Sequence, residues 1–318
     1  MQLRITLLGG SGFVGTHLAA QLVKAGHQVS ILTRHRERQR HLLVLPTLKI
    51  IQADVHNPAM LEYYFNRQDA VINLVGILNE KRDNGLGFRH AHVDLAEKVV
   101  HACQKNQVKR LLHMSALHAD AEKGPSYYLK TKGEAEQLVH AASDLNVTSF
   151  RPSVIFGPGD SFFNNFAGLL RLSPGIVPLA CGSARFAPVY VGDIASAFTQ
   201  SLEDSDTYGQ SYNLCGPKIY TLQQLVQYTA DLIGVRRKII SLGKVPSLLM
   251  ANFFQYMPFF RPITRDNYRS LKVDSVCDND FPDVFGIRPR SIEEIVPAYL
   301  ADDRDRNNFD RFRSTSGR

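Results

Sequence analysis

The sequence is poor in the features that mark secreted, metal-bound or membrane-spanning chains. It has only 4 cysteines in 318 residues, and Cys103, Cys181, Cys215 and Cys277 lie far apart with no metal-ligand spacing. That pattern predicts no metal site and argues against a disulfide framework, each thiol being expected as a small core residue in a reducing compartment. No apolar run approaches the roughly 20 residues that carry a helix across a bilayer. There is no internal repeat and no low-complexity block. The opening MQLRITLLGG runs straight into an apolar strand and a glycine turn, so the expectation is a cytoplasmic chain with no leader segment, peripheral placement on the inner membrane being the alternative.

Acidic charge is also in short supply, with Asp+Glu at 30 against Lys+Arg at 37 and a formal net charge of +7. Apart from RHRERQR at residues 34–40, the basic residues are spread along the chain, which favours solubility and predicts no nucleic-acid partner. An apolar fraction of 44% and a charged fraction of 21% belong to an ordinary globular protein with room for one large or two medium domains.

What is present is an alternation of short apolar strands with amphipathic helical stretches, the pattern of βαβ units in a parallel sheet. Strands are expected at 4–8, 28–33, 48–52, 70–75, 110–114 and 148–151. This is an α/β chain, a Rossmann-type doubly wound sheet over residues 1–155, followed by a smaller, mostly helical region over 156–185 and 216–300. The segment ARFAPVYVGDIASAF reads as a strand and a helix capped by Asp193, so residues 186–215 are expected to return to the first domain. From Asp302 the mixed charges of DDRDRNNFDRFRSTSGR predict a mobile tail over 301–318.

The segment GGSGFVG places Gly9, Gly12 and Gly15 between the first strand and the first helix. Glycine serves there for a tight turn, for backbone approach to a pyrophosphate and for close helix packing. Ser11, Gly12, Phe13 and Val14 would present backbone N–H groups at the positive end of the helix. At the end of the second strand, where an acid usually meets the ribose hydroxyls of NAD, the chain offers Thr33 and Arg34, with Arg36 and Arg38 close behind. That favours NADP(H) over NAD(H), with Arg34 as the phosphate ligand. Topology puts Asp54 and Val55 near the adenine and Leu74, Val75 and Gly76 beside the cofactor, and Pro152 after the sixth strand completes the set.

Tyr128 and Lys132 stand four apart on a predicted helix and share a face. A cationic Lys beside a phenol lowers its pKa toward the range of useful proton exchange, and the same Lys can hold the nicotinamide ribose. Ser115, ending the fifth strand in HMSAL, is positioned to meet a substrate oxygen.

Taken together, GGSGFVG, Ser115, Tyr128 with Lys132, and RPSVIFGPG resemble the extended and atypical short-chain dehydrogenase/reductases, the likeness running from Met1 to about Leu300. RPSVIFGPGDSFFNNFAGLL, APVYVGDIASAF and PITRDNYRSL are similar to the branch that contains the nucleotide-binding accessory subunit of respiratory complex I and its bacterial relatives. The resemblance implies bound NADPH and, for the mitochondrial subunit, a structural or regulatory role. Ser115 lies only 13 positions before Tyr128, closer than in sugar-nucleotide epimerases generally, and the residues that grip a nucleotide sugar are not recognisable; no sugar epimerase is expected.

The uncharged stretch VPSLLMANFFQYMPFF runs from Val245 to Phe260 between Lys244 and Arg261. Three readings stay open: an apolar face on a bilayer with Lys244, Arg261 and Arg265 at anionic headgroups, the lining of a pocket for an isoprenoid or quinone tail, or ordinary core. Two functions follow. One is an NADP(H)-dependent oxidoreductase acting on a small-molecule or lipid-like carbonyl, quinones included. The other is a non-catalytic NADPH-binding accessory or assembly protein associated with a respiratory complex.

Overall fold

The computed structural model describes residues 2–80, 82–255 and 263–301. The expected tail from Asp302 onward and residues 256–260 of the apolar stretch lie outside the described residues. Contacts divide the chain into two units.

The first unit holds the described residues up to Pro152 together with Gly192–Leu214 and Pro282–Ile287. The return from the second unit therefore starts at Gly192 rather than at residue 186, and a short later segment joins as well. Its centre is a 7-stranded sheet built from β1 (Arg4–Leu8), β2 (Gln28–Thr33), β3 (Leu48–Gln52), β4 (Ala70–Asn73), β5 (Arg110–Met114), β6 (Asn146–Pro152) and the strand Gln210–Leu214. All pairings are parallel, in the order Gln210–Leu214, β6, β5, β4, β1, β2, β3. The central strands read as apolar runs because both faces are covered, every residue of β4 and β5 being buried, while the edge strand Gln210–Leu214 is polar and largely half-buried or exposed. Chain order reverses at β1, which pairs with β2 on one side and β4 on the other, and the crevice at the carboxyl ends of those strands is where such sheets take ligands.

Helix α1 (Phe13–Lys24) buries Gly15, Leu18, Ala19 and Leu22, a stripe at helical spacing, with each buried leucine worth about 1.5–3 kcal/mol. Helices α2 (Pro58–Phe65), α3 (Leu86–Arg89), α4 (Leu95–Lys105) and α5 (Tyr127–Ala141) follow. Between α3 and α4, His90–Asp94 winds as a π-helix, a departure from regular winding often found at functional sites. Ser126 starts α5 by accepting a hydrogen bond from the Leu129 N–H at 3.1 Å, an N-cap. Leu8, Leu32, Leu95, Val99, Leu111 and Val139 are among the residues that form the core under these helices.

Three local expectations change. The fourth strand stops at Asn73, because the Asn73 side chain accepts the Val75 N–H at 3.1 Å and turns the chain before residue 75. Asp193 lies inside the first turn of the helix Val191–Ser201 rather than capping it. Cys215 and Cys277 form a disulfide, with Cα atoms 6.0 Å apart. They are 62 residues apart in sequence, so spacing alone carried no sign of the pair; the fold of the second unit brings them together. Cys103 and Cys181 remain free thiols.

The second unit, Ser153–Val191, Cys215–Phe281 and the described residues from Arg288, packs the helices Phe162–Leu172, Leu222–Ile233 and Ile292–Leu300 around Phe156, Phe163, Leu170, Leu225, Val226 and Val296. A short parallel ladder pairs Ile176–Ala180 with Lys238–Leu242.

Candidate active site

The glycine turn after β1 is made by three different constraints. Gly9 has φ +76°, which an L side chain adopts only with strain, and its carbonyl accepts the Gly12 N–H at 3.0 Å. A Cβ on Gly9 would lie 3.1 Å from the backbone of Leu74 and Val75, so the turn and the end of β4 touch. A Cβ on Gly15 would stand 2.3 Å from the Gly9 carbonyl oxygen and 2.5 Å from the Gly10 Cα. Gly12 is the N-cap of α1, no side chain caps that end, and no acid stands in its first turn. Open N–H groups, a positive helix end and no competing carboxylate are what a pyrophosphate needs, and the turn fits one.

Around that turn, Ser11 Oγ donates to Thr33 Oγ1 at 3.3 Å, which ties the loop to the end of β2. Arg34 follows Thr33 and is exposed, and its charge helps lower the His56 pKa, after burial, His90 and Lys98. Asp54, also exposed, bears on the same imidazole and raises it, so Arg34 and Asp54 flank one place. Asp54 Oδ1 also accepts the His56 N–H at 3.0 Å and shapes the turn after β3. Val55 points into the core, which leaves its backbone to face a ligand. The Pro152 carbonyl accepts the Leu117 N–H at 3.1 Å, fixing the end of β6 to the loop after β5.

Helix α5 carries Lys132 to the ends of β4 and β5, and Tyr128 to the rings of His92 and Phe88. Lys132 is buried, and its Nζ donates to the Met114 carbonyl at 2.8 Å. A Cβ at Gly76 would lie 3.0 Å from that nitrogen, so glycine is what lets the ammonium sit under the β4 end. Burial brings the Lys132 pKa down to about 8, with Glu136 opposing the fall. Tyr128 packs edge-on against His92 and Phe88, with ring centroids 5.7 and 6.1 Å away. Burial raises its pKa to about 12, which corrects the expectation of a phenol made acidic by Lys132. A neutral phenol is the form that gives a proton away.

His92 is a residue that spacing did not single out. Its Nε2 accepts the Ile77 N–H at 3.2 Å, so Nδ1 carries the proton and meets Thr131 Oγ1 at 2.9 Å. Burial, then Lys132 and His113, drives its pKa to about 2; it is a neutral prop that holds the 76–77 backbone against α5. No sequence signal marks it, because the π-helix that aims it has no recognisable spacing. Ser115 is buried. It lies beside the Glu136 carboxylate, one helical turn beyond Lys132, so the structure groups it with Glu136 rather than showing it bonded to Tyr128.

The profile described as the NAD dependent epimerase/dehydratase family matches residues 5–215. The NADH-ubiquinone oxidoreductase 40 kDa subunit, mitochondrial, of Neurospora crassa is 26% identical over 313 residues, covering 96% of this chain and 80% of that one. A ceramide reductase of Caulobacter vibrioides is 25% identical over 255 residues, 78% of this chain and 75% of that one. Among solved structures, MoeE5 in complex with UDP-glucose and NAD superimposes with a TM-score of 0.73 at 19% identity over 96% of this chain and 99% of that one, a likeness of fold.

Proposed function

Because the chain belongs to the NAD dependent epimerase/dehydratase family, we propose that it is an oxidoreductase that prefers NADP(H) to NAD(H) and acts on a carbonyl. The observation that supports this reading is the buried Lys132 that α5 carries to the ends of β4 and β5, with Tyr128 one helical turn before it on the same helix. Gly9, Ser11, Gly12, Phe13, Val14 and Gly15 hold the pyrophosphate through backbone and turn, Arg34 reads the 2′-phosphate, and Asp54, Val55, Leu74, Val75, Gly76 and Pro152 line the rest. When bound, the dinucleotide supplies the hydride. Tyr128 Oη delivers the proton to the substrate oxygen, and Lys132, charged below a pH of about 8, holds the ribose and stabilises the phenolate left behind.

Fluorescence titration with NADPH and NADH tests the cofactor assignment. Arg34→Ala should weaken NADPH by about tenfold or more, the scale of a lost charge-assisted bond, and leave NADH nearly unchanged. Equal losses would remove Arg34 from the phosphate site.

A second reading is favoured by the mitochondrial relative named as a subunit of NADH-ubiquinone oxidoreductase: a protein that holds NADPH without turnover and associates with a respiratory assembly. Tight binding with no oxidation of NADPH by any quinone or aldehyde supplied would favour it.

In either reading, we propose that the second unit rests on an anionic membrane surface. No helix among the described residues is long and apolar enough to cross one. The helix Lys244–Gln255 instead turns its large apolar residues outward, with Val245, Leu249 and Phe253 at 68%, 63% and 64% exposure, while Ser247 and Ala251 face inward. Lys244 opens this helix, and Arg265, Arg269 and Lys272 line the neighbouring cleft of about 460 Å³. Co-sedimentation with anionic vesicles at low salt should be lost in the Leu249→Glu, Phe253→Glu double variant; an unmodified protein that stays wholly in the supernatant would refute membrane contact.

A further inference from the structure

Helix α5 continues its reactive stripe past Lys132. Residues 128, 132, 136 and 140 follow one another at one-turn intervals, and the third of them, Glu136, is a carboxylate buried to 4% exposure. A buried carboxylate is costly unless paired and fully hydrogen-bonded, and this one is both. Arg151 Nε donates to Oε1 at 2.8 Å and to Oε2 at 3.0 Å, and its second guanidinium arm approaches Oε1 at 2.5 Å. Ser211 Oγ donates to Oε1 at 2.7 Å. The same hydroxyl lies 3.3 Å from His140 Nε2, which is itself 3.0 Å from Ser149 Oγ. Three elements, α5, β6 and the strand Gln210–Leu214, thus converge to fix one negative charge.

Arg151, Ser211 and His140, with Glu136 itself, line a surface cleft of about 290 Å³ that also includes Asp120 and Gln137. What Glu136 faces on its inner side is Lys132, whose charge it supports, and His113 on β5, whose pKa it raises against burial and Lys132. One buried polar atom without a hydrogen-bond partner, His113 Nε2, stands in this same space. The remaining titratable groups around Lys132 carry no charge near neutral pH: Tyr128 with a pKa near 12, His92 near 2 and His113 near 3. Glu136 is therefore the buried group whose charge answers the ammonium, with the Met114 carbonyl as the neutral ligand.

We propose that Glu136, anchored by Arg151 and Ser211, is a positioning residue that keeps the Lys132 ammonium charged and in place at the cofactor side of the site. Burial pushes the carboxyl up, yet the bonds from Arg151 and Ser211, with Ser115 close by, hold it below the usual range, so it stays ionised where Lys132 titrates. The Glu136–Arg151 ion pair costs desolvation, and the carboxylate it fixes opposes the burial that favours the neutral form of Lys132. Nothing in this role requires Glu136 to touch substrate or dinucleotide. The inference rests on the reading that Lys132 serves a bound dinucleotide.

The test is the pH dependence of NADPH affinity between about pH 6.5 and 9.5, followed by fluorescence on the full chain. Unmodified protein should lose affinity with a midpoint near Lys132's own pKa, and Lys132→Met should abolish that pH dependence. Glu136→Gln should move the midpoint down by about 1 pH unit, the scale of removing an opposite charge at close range, so that affinity at pH 8 falls several-fold while affinity at pH 6.5 is nearly kept. Glu136→Asp should restore much of the original midpoint, which a merely structural role would not require. Should Glu136→Gln leave Arg151 unpaired and fail to fold, the double variant Glu136→Gln, Arg151→Gln replaces the pair by hydrogen-bonding amides and should still show a downward shift, smaller than that of the single variant because the Arg151 cation is removed as well. A midpoint unmoved in the folded variant overturns the role of Glu136 and leaves the dinucleotide reading standing. A midpoint that survives Lys132→Met shows that another group titrates and overturns the proposal too. Absence of dinucleotide binding in unmodified protein overturns both at once.

Discussion

Carbonyl reduction should fall by about 10³-fold in Tyr128→Phe, within the span measured for loss of a positioned general acid, while NADPH affinity stays within about twofold. The substitution removes one oxygen and keeps the ring that packs edge-on against His92 and Phe88, so the packing of α5 should be kept. The phenol is neutral up to a pH of about 12, which makes it a proton donor throughout the working range and predicts that acid titration of Tyr128 does not shape the pH–rate profile. The alkaline limb belongs to Lys132, near 8. Single-turnover oxidation of bound NADPH, with candidate aldehydes and quinones, reads the loss directly. Retained turnover in Tyr128→Phe would assign proton delivery to another group; lost NADPH affinity alongside lost turnover would make the hydroxyl a binding contact.

The middle of the parallel sheet was legible because its strands are buried on both faces and announce themselves as short apolar runs, as in ITLL of β1 and AVIN of β4, whereas the polar, half-exposed edge strand QSYNL at Gln210–Leu214 gave no such signal. The glycine turn was legible for a different reason: each glycine answers a local steric demand, a positive φ at Gly9 and backbone contact at Gly15. What the sequence concealed depends on distance along the chain. The Cys215–Cys277 bond joins residues 62 apart, and the partners of Glu136 come from β6 and the strand Gln210–Leu214. Glu136 itself stood in plain view four residues after Lys132, at the spacing that had singled out the Tyr and Lys, but without Arg151 and Ser211 beside it a glutamate on a helix reads as a solvated one. The direction of the Tyr128 pKa failed for the same cause: the i, i+4 spacing gives proximity to Lys132, whereas the burial that decides the sign comes from residues distant in sequence.

Gly15→Ala should be the most damaging single methyl group added to the cofactor side of the first unit. The new Cβ would meet the Gly9 carbonyl oxygen at 2.3 Å and the Gly10 Cα at 2.5 Å, both backbone atoms of the turn, which cannot swing aside as a side chain can. Overpacking of this kind costs about 1–3 kcal/mol, or roughly 3–10 °C in Tm for a unit of this size, and relief requires α1 to back away from β1, carrying its open N–H groups off the pyrophosphate. NADPH affinity should therefore fall together with Tm. Two companion substitutions separate these effects. At Gly12 the added Cβ lies 3.2 Å from the Gly9 carbonyl oxygen, a contact that small shifts relieve, so Gly12→Ala should cost affinity while Tm changes little. Gly168, inside the helix Phe162–Leu172 of the second unit, has open space around it; Gly168→Ala should leave NADPH binding untouched and hold or raise Tm, since alanine loses less backbone freedom on entering a helix. A Gly15→Ala protein with unchanged Tm would mean that α1 yields without strain, and one with lowered Tm but undiminished NADPH affinity would separate the helix terminus from phosphate binding.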